Sequence, residues 1–311
     1  MEELPNVISF SGGQTSGYML WREIQKVGVE SFEKNYRVIF ENTGREHDKT
    51  LEFVHRVETE WGIPVKWLEY TRRPAGEIPL EKVPEGRKQT NLRKKQEAGE
   101  RDHWFKEVNF ETASRIGKDG PFDELLEWAN VLPNVRTRSC SVQLKVRTRD
   151  RYLRSIGVGK FNAFIGIRAD EEDRAWEIMA NIDQYENPKF PLLEAGITKQ
   201  DVDAFWDSQK FKLEIPNFMG NCDLCFLKAK WKLVRIAKDN PEWLKWWMDW
   251  EDSFKATCTS GAVFRSGQSF KDIHMMATHP ELPFETGLDD GDVACSCSIG
   301  GYRAKVEKDD E

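Results

Sequence analysis

The chain has 311 residues, 39% of them hydrophobic and 32% charged, with a formal net charge of −7. That is the composition of a water-soluble globular chain long enough for one large core or two modest ones, and no run of about 18 apolar residues offers a membrane span. The net acidity argues against a protein coated in nucleic acid, and the acidic start Met1-Glu2-Glu3-Leu4-Pro5 lacks a signal peptide's basic and apolar regions, so a cytoplasmic location is expected, where the six cysteines read as thiols or metal ligands.

Val7-Ile8-Ser9-Phe10 reads as a short buried strand, Gly17-Tyr18-Met19-Leu20 as the start of a helix running to about Val27, and Ser11-Gly12-Gly13-Gln14-Thr15-Ser16 as the turn between them. Paired glycines let backbone approach a bulky anion, and the N–H groups of the following helix point at it with the positive end of the dipole. An ordinary strand-to-helix turn has the same residues, so the turn alone does not decide. Residues 37–41 then predict a second strand, 46–60 a helix with Leu51, Val54, His55 and Val57 on one face, and 65–70 a third strand. This β-α-β-α-β rhythm predicts a parallel sheet with right-handed crossovers, whose ligands bind beyond the carboxyl ends of the strands.

The rhythm is lost over 71–135, a polar insertion read as a loop with Pro74, Pro79 and Pro84, then helices near 101–116 and 121–131. A helix over 142–155 and a strand over 161–167 complete the sheet, and a helix capped by Thr198 follows. Residues 1–209 are thus expected to form an α/β unit and 210–311 a Cys- and Trp-rich helical region. Cations concentrate in 82–95 and in 136–154, where Arg136, Arg138, Lys145, Arg147, Arg149, Arg151 and Arg154 face Asp150 alone. Such a run is either a solvated helix face or a phosphate-binding surface. Cys222-Asp223-Leu224-Cys225 can grip one metal or cluster, form a redox pair, or stay as two thiols. Trp243, Trp246, Trp247 and Trp250 recur at helical spacing and read as core, and the five histidines show no zinc-like spacing.

Four of these segments, in order, resemble the PP-loop ATP pyrophosphatase and phosphoadenosine phosphosulfate (PAPS) reductase family. They are the 11–16 turn, Asn42-Thr43-Gly44 after the second strand, Arg138-Ser139-Cys140-Ser141-Val142-Gln143-Leu144-Lys145, and Gly166-Ile167-Arg168-Ala169-Asp170-Glu171-Glu172-Asp173-Arg174. The resemblance spans residues 6 to about 230. It implies a parallel-sheet adenine nucleotide alpha hydrolase-like core with helices on both faces. It also implies a nucleotide site at Ser9, Ser11, Gly12, Gly13, Gln14, Thr15, Ser16, Asn42, Thr43, Gly44, Gly166, Arg168 and Arg174, binding ATP with Mg²⁺. Gln14-Thr15 stands where the family commonly has Lys-Asp, which removes a phosphate-binding lysine and a magnesium carboxylate.

By similarity to adenylyl-sulfate reductases, Cys140, Cys222 and Cys225 are implied ligands of a [4Fe–4S] cluster, with zinc the alternative. The fourth position falls to Cys258, Cys295, Cys297 or no protein ligand. Cys297 is similar in place to the family's nucleophilic tail cysteine, although the usual Glu-Cys-Gly setting is absent. The implied activity is ATP-dependent sulfur transfer to an acceptor that could be DNA or tRNA, held by the 136–154 run and served by a sulfur donor such as a cysteine desulfurase. The alternatives are a thioredoxin-dependent reductase of adenylyl sulfate or PAPS, and a non-catalytic nucleotide sensor.

Overall fold

The computed structural model describes residues 4–83, 85–117, 119–181, 186–220, 222–257 and 262–279. Six strands, β1 (Asn6–Ser9), β2 (Tyr36–Asn42), β3 (Val65–Pro74), β4 (Arg101–Val108), β5 (Phe161–Phe164) and β6 (Glu186–Lys189), form one sheet in the order β4-β3-β2-β1-β5-β6. All neighbours are parallel except β3 and β4, which pair antiparallel. The chain moves outward from β1 through β2 and β3, then returns to the other side of β1 as β5. The strand order therefore reverses between β1 and β5, the switch point at which sheets of this kind take ligands beyond the carboxyl ends of their strands.

Alternation along the central strands divides two cores. Ile8, Val38, Phe40 and Trp67 face α1 (Gln14–Val27), α3 (Asp48–Trp61) and α9 (Lys199–Ser208), meeting Met19, Leu20, Phe53, Val54, Val202 and Trp206. Val7, Ile39, Leu68 and Ala163 face the opposite way, toward Tyr152 and Leu153 of α6 (Arg147–Ser155) and Ala175 and Ile178 of α7 (Glu172–Ala180). The short helices α2 (Val29–Asn35) and α8 (Pro191–Glu194) complete the crossovers. A third core joins Tyr70, Leu144 and, from α5 (Pro121–Leu126), Phe122 to α10 (Lys230–Asp239), α11 (Pro241–Thr257) and α12 (Phe270–Thr278). The tryptophans of α11 are core residues, as expected: Trp246 and Trp250 donate to Asp123 Oδ1 at 2.7 and 3.2 Å, and Trp247 to Asp223 Oδ1 at 3.1 Å.

The insertion departs from expectation. Residues 101–108, expected as helix, form the edge strand β4, registered against β3 from Trp67↔Val108 to Pro74↔Arg101. Pairing with the long β3 decides the conformation there, because a solvated edge strand needs no apolar alternation. Residues 87–97, expected as loop, form α4 (Arg87–Glu97), which buries only Leu92 and so shows no apolar periodicity. The strand expected over 161–167 ends at Phe164, and β6 was not expected at all; its Pro188 is tolerated at a sheet edge.

Candidate functional site at the strand ends

The 11–16 turn lies at the switch point. Gly12 has φ +73°, and a Cβ there would lie 2.7 Å from Thr50 Cγ2, so glycine is required by the fold itself. Gly13 is the N-cap of α1, with ordinary φ −97°, and a Cβ on it would meet only Ser11 Oγ at 3.5 Å. No side chain caps α1, which leaves its first N–H groups to a ligand. Ser16 Oγ donates to Gly13 O at 3.0 Å and lies 2.9 Å from Ser11 Oγ, so the two hydroxyls brace the turn. Trp206 Nε1 donates to Gln14 O at 2.8 Å and fixes the turn from behind.

The neighbouring segments close on this turn. Gly166 follows β5 so closely that a Cβ would stand 3.2 Å from Ser16 Cα. Arg168 Nη1 donates to Thr15 Oγ1 at 3.3 Å and pairs with Glu171 at 3.1 Å, while Arg174 pairs with the other oxygen of Glu171. Arg168 thus reaches the turn, whereas Arg174 orients the carboxylate behind it. Asn42 is fully engaged: its Nδ2 donates to Glu69 Oε1 at 2.6 Å and Ser114 O at 2.8 Å, and its Oδ1 accepts from Gly44 N at 3.1 Å. It positions the Asn-Thr-Gly segment. Thr43 donates both its N–H and its hydroxyl to Glu46 Oε2, each at 2.8 Å.

The Cys-x-x-Cys segment meets that same Thr43. Its Oγ1 lies 3.5 Å from Cys222 Sγ, and Glu46 makes a backbone bridge to Cys222. Cys225 belongs to the third core, against which Cys140 and Cys222 also pack. The chain enters Cys140 through Arg138, whose φ of +43° is uncommon for a side-chain-bearing residue, and leaves it in a π-helical turn, Ser141–Val146. Burial pushes the Cys140 thiol up to about 12, and nearby Cys225 adds to the effect. Burial likewise raises Cys222 and Cys225. All three are free thiols. Among the described residues no group of three or more His, Cys, Asp or Glu is placed to hold a metal ion. Cys258, Cys295 and Cys297 lie outside the described residues.

Two buried cations of the 136–154 run, Lys145 and Arg149, stand near the carboxyl ends of β1 and β2. Lys145, 7% exposed, stands 3.5 Å from Glu46. Arg149, 1% exposed, donates to Ser9 Oγ at 3.2 Å and pairs with Asp150 and Glu186. Burial raises Glu41 to about 7 against the opposing pull of Arg149 and Lys145. The 136–154 run is accordingly not one surface: Arg138, Lys145 and Arg149 are buried, while Arg136 and Arg147 are exposed. For Lys145 the signal was present in the Leu144-Lys145 motif. For Glu41 and Arg149 nothing in the sequence distinguished them.

No family model and no solved structure matches the chain. A curated relative, described as an uncharacterized nin region protein, ORF290, of Escherichia phage lambda, is 29% identical over 240 residues, covering 75% of this chain and 70% of the relative. Its description assigns no activity.

Proposed function

We propose that the protein is a PP-loop enzyme that binds ATP at the 11–16 turn and transfers sulfur through a cysteine-held iron–sulfur centre. One observation carries the reading: Thr43, from the segment that resembles a nucleotide motif, touches Cys222 of the Cys-x-x-Cys motif at 3.5 Å. The two chemistries that the reading couples meet at one residue.

The donor set suits a cluster better than a lone ion. Three thiols converge without being gathered around one point, and an iron–sulfur cluster takes one cysteine per iron. Cys140, Cys222 and Cys225 would hold it, and zinc is the alternative for the same thiolates. Bound there, the cluster would supply iron able to hold sulfur.

The chain's own residues supply the rest. The N–H groups opening α1 and the Arg168 guanidinium take the triphosphate, and the open space above Gly13 admits it. Lys145 and Arg149 keep positive charge beneath the strand ends as charge builds on the leaving pyrophosphate. An acceptor oxygen attacks the α-phosphorus and pyrophosphate leaves; hydrosulfide then attacks the adenylylated centre of the acceptor, whose former oxygen departs on AMP.

Gln14 and Thr15, in place of the usual Lys-Asp, favour a second reading, a nucleotide sensor without turnover. Anaerobically purified protein separates the readings. Pyrophosphate released from ATP with AMP as co-product supports transfer, and sulfite from adenylyl sulfate or PAPS would replace it with a reductase. Tight ATP binding without any product would leave the sensor.

A further inference from the structure

A second cationic centre lies on the α6 face of the sheet, at the far end of β3. Opposed residues of an antiparallel pair share a face, so Arg72 and His103, paired across β3 and β4, point the same way, as does Tyr70 two residues before Arg72. Arg72 is only 9% exposed, and its Nη2 donates to Arg101 O at 2.8 Å. Its Nε and Nη1 are buried without a hydrogen-bond partner, and so is Nη1 of Arg151 on α6. A guanidinium shut off from water with unmet donors is costly, and structures keep such groups where a ligand meets them.

The nearby acids are committed elsewhere. Asp102 pairs with Lys95 at 2.9 Å. Glu124 accepts from the Arg72 backbone N–H at 3.1 Å and from Thr71 Oγ1 at 3.3 Å. Burial and then Arg151 hold His103 down at about 3, so its ring is neutral, with Nδ1 2.5 Å from the Tyr70 hydroxyl oxygen. Burial and the adjacent Arg147 lower even Arg151, to about 10. Positive charge is therefore in excess. Arg72 also lines an open depression of about 580 Å³ with Arg73, Arg101 and Lys106 against Glu77 and Glu107. Over the Arg72 guanidinium, at 3.8 Å from its ring centre, lies Trp128, which is 60% exposed. An aromatic that stacks a cation on one side and meets solvent elsewhere is a platform for a flat ring.

We propose that Arg72, Arg151 and Trp128 form a second ligand site, distinct from the 11–16 turn, that takes one nucleotide unit: its phosphate against the unmet donors of the two arginines, its base stacked on Trp128. The unit can come free or as part of a single strand. In the strand, further phosphates would run toward α4, which packs on β4 and exposes Arg87, Arg93 and Lys94.

The test uses full-length protein labelled with 5-fluorotryptophan, with the Trp128 resonance assigned by its absence in Trp128→Phe. Thymidine monophosphate should shift that line, thymidine should not, and Arg72→Gln should weaken the response at least ten-fold. A fluorescein-labelled oligothymidylate distinguishes the sources. Tighter binding with a steep salt dependence, weakened by the same variant, identifies the strand, and competition by the mononucleotide alone identifies the free nucleotide. Arg72→Lys, which keeps the charge but not the fork, should recover only part of the affinity. An unmoved Trp128 line, or equal affinities in wild type and Arg72→Gln, overturns the proposal. The thymidine monophosphate response of the Trp128 line should persist in Gly13→Leu, which fills the space above the 11–16 turn, so loss of either site is visible separately.

Discussion

Gly12 and Gly13 adjoin in the chain but answer to different constraints. Gly12→Ala must hold φ near +73° and seat a Cβ 2.7 Å from Thr50 Cγ2, so urea unfolding should show a loss of about 1–3 kcal/mol. Gly13→Leu meets only Ser11 Oγ and should cost no more than about 1 kcal/mol as a poorer N-cap, while occupying the space above the turn. Calorimetry on this folded variant should therefore find ATP binding lost. Unchanged affinity would show that the turn is structural only. Glu41 offers a pH signature. Its folded value is raised from 4.5 to about 7, so between those two values the folded chain holds a proton that the unfolded chain has released. Stability must then fall as pH rises through that window, by up to roughly 3 kcal/mol. Glu41→Gln should flatten the dependence, and equal slopes in denaturant titrations at pH 5 and pH 7.5 for wild type and variant would refute the assignment.

Over residues 222–229 the Cys-x-x-Cys segment has little regular structure, so side chains must hold it. The Arg45–Asp223 pair, at most 1% exposed on either side, ties it to the loop after β2, and Arg45 lies 4.2 Å over the Trp246 ring. Asp223 N donates to Arg45 O at 2.8 Å, and Lys228 Nζ donates to the carbonyls of Cys222 and Asp223 at 2.6 and 2.7 Å. Asp223→Ala leaves Arg45 charged and alone in the core, and should cost about 3–5 kcal/mol. Arg45→Met combined with Asp223→Leu should cost less than either single change, which a double-mutant cycle by chemical denaturation measures. Elements differed in how legible they were. β1, α1, β2, α3 and the start of β3 could be read because each buries a periodic apolar face. β4, α4 and β6 could not, since edge strands and a helix burying one leucine take their conformation from neighbours. The site divides the same way. The glycine turn and cysteine spacing stand in the sequence, but Arg45, Glu41 and Arg149 become distinctive only when folding buries them.

At the scale of the molecule, the C-terminal helices share a core with Tyr70, Phe122 and Leu144, which sets Cys222 and Cys225 against the carboxyl ends of the sheet. Cys140 comes from the opposite direction, through the π-helical turn leading into α6. Cysteines 82 residues apart in sequence order, Cys140 and Cys222, are thus neighbours in one core without forming a disulfide. Burial raises all three thiols, and a metal centre that bound them as thiolates would reverse that penalty. Protein purified without oxygen should accordingly be brown, with broad visible absorbance and on the order of four irons per chain. Replacing Cys140, Cys222 or Cys225 by Ala should bleach it, and among Cys258, Cys295 and Cys297 the one whose loss also bleaches is the fourth ligand. The Thr43 contact adds a finer expectation. Thr43→Val removes the hydroxyl 3.5 Å from Cys222 Sγ while keeping the shape of the side chain. If the cluster is present, the variant should leave the iron content intact yet alter the visible spectrum, because it removes a polar group beside a ligating sulfur. A colourless anaerobic preparation carrying one zinc per chain would rule out the proposed cluster and leave a structural metal site beside the glycine turn.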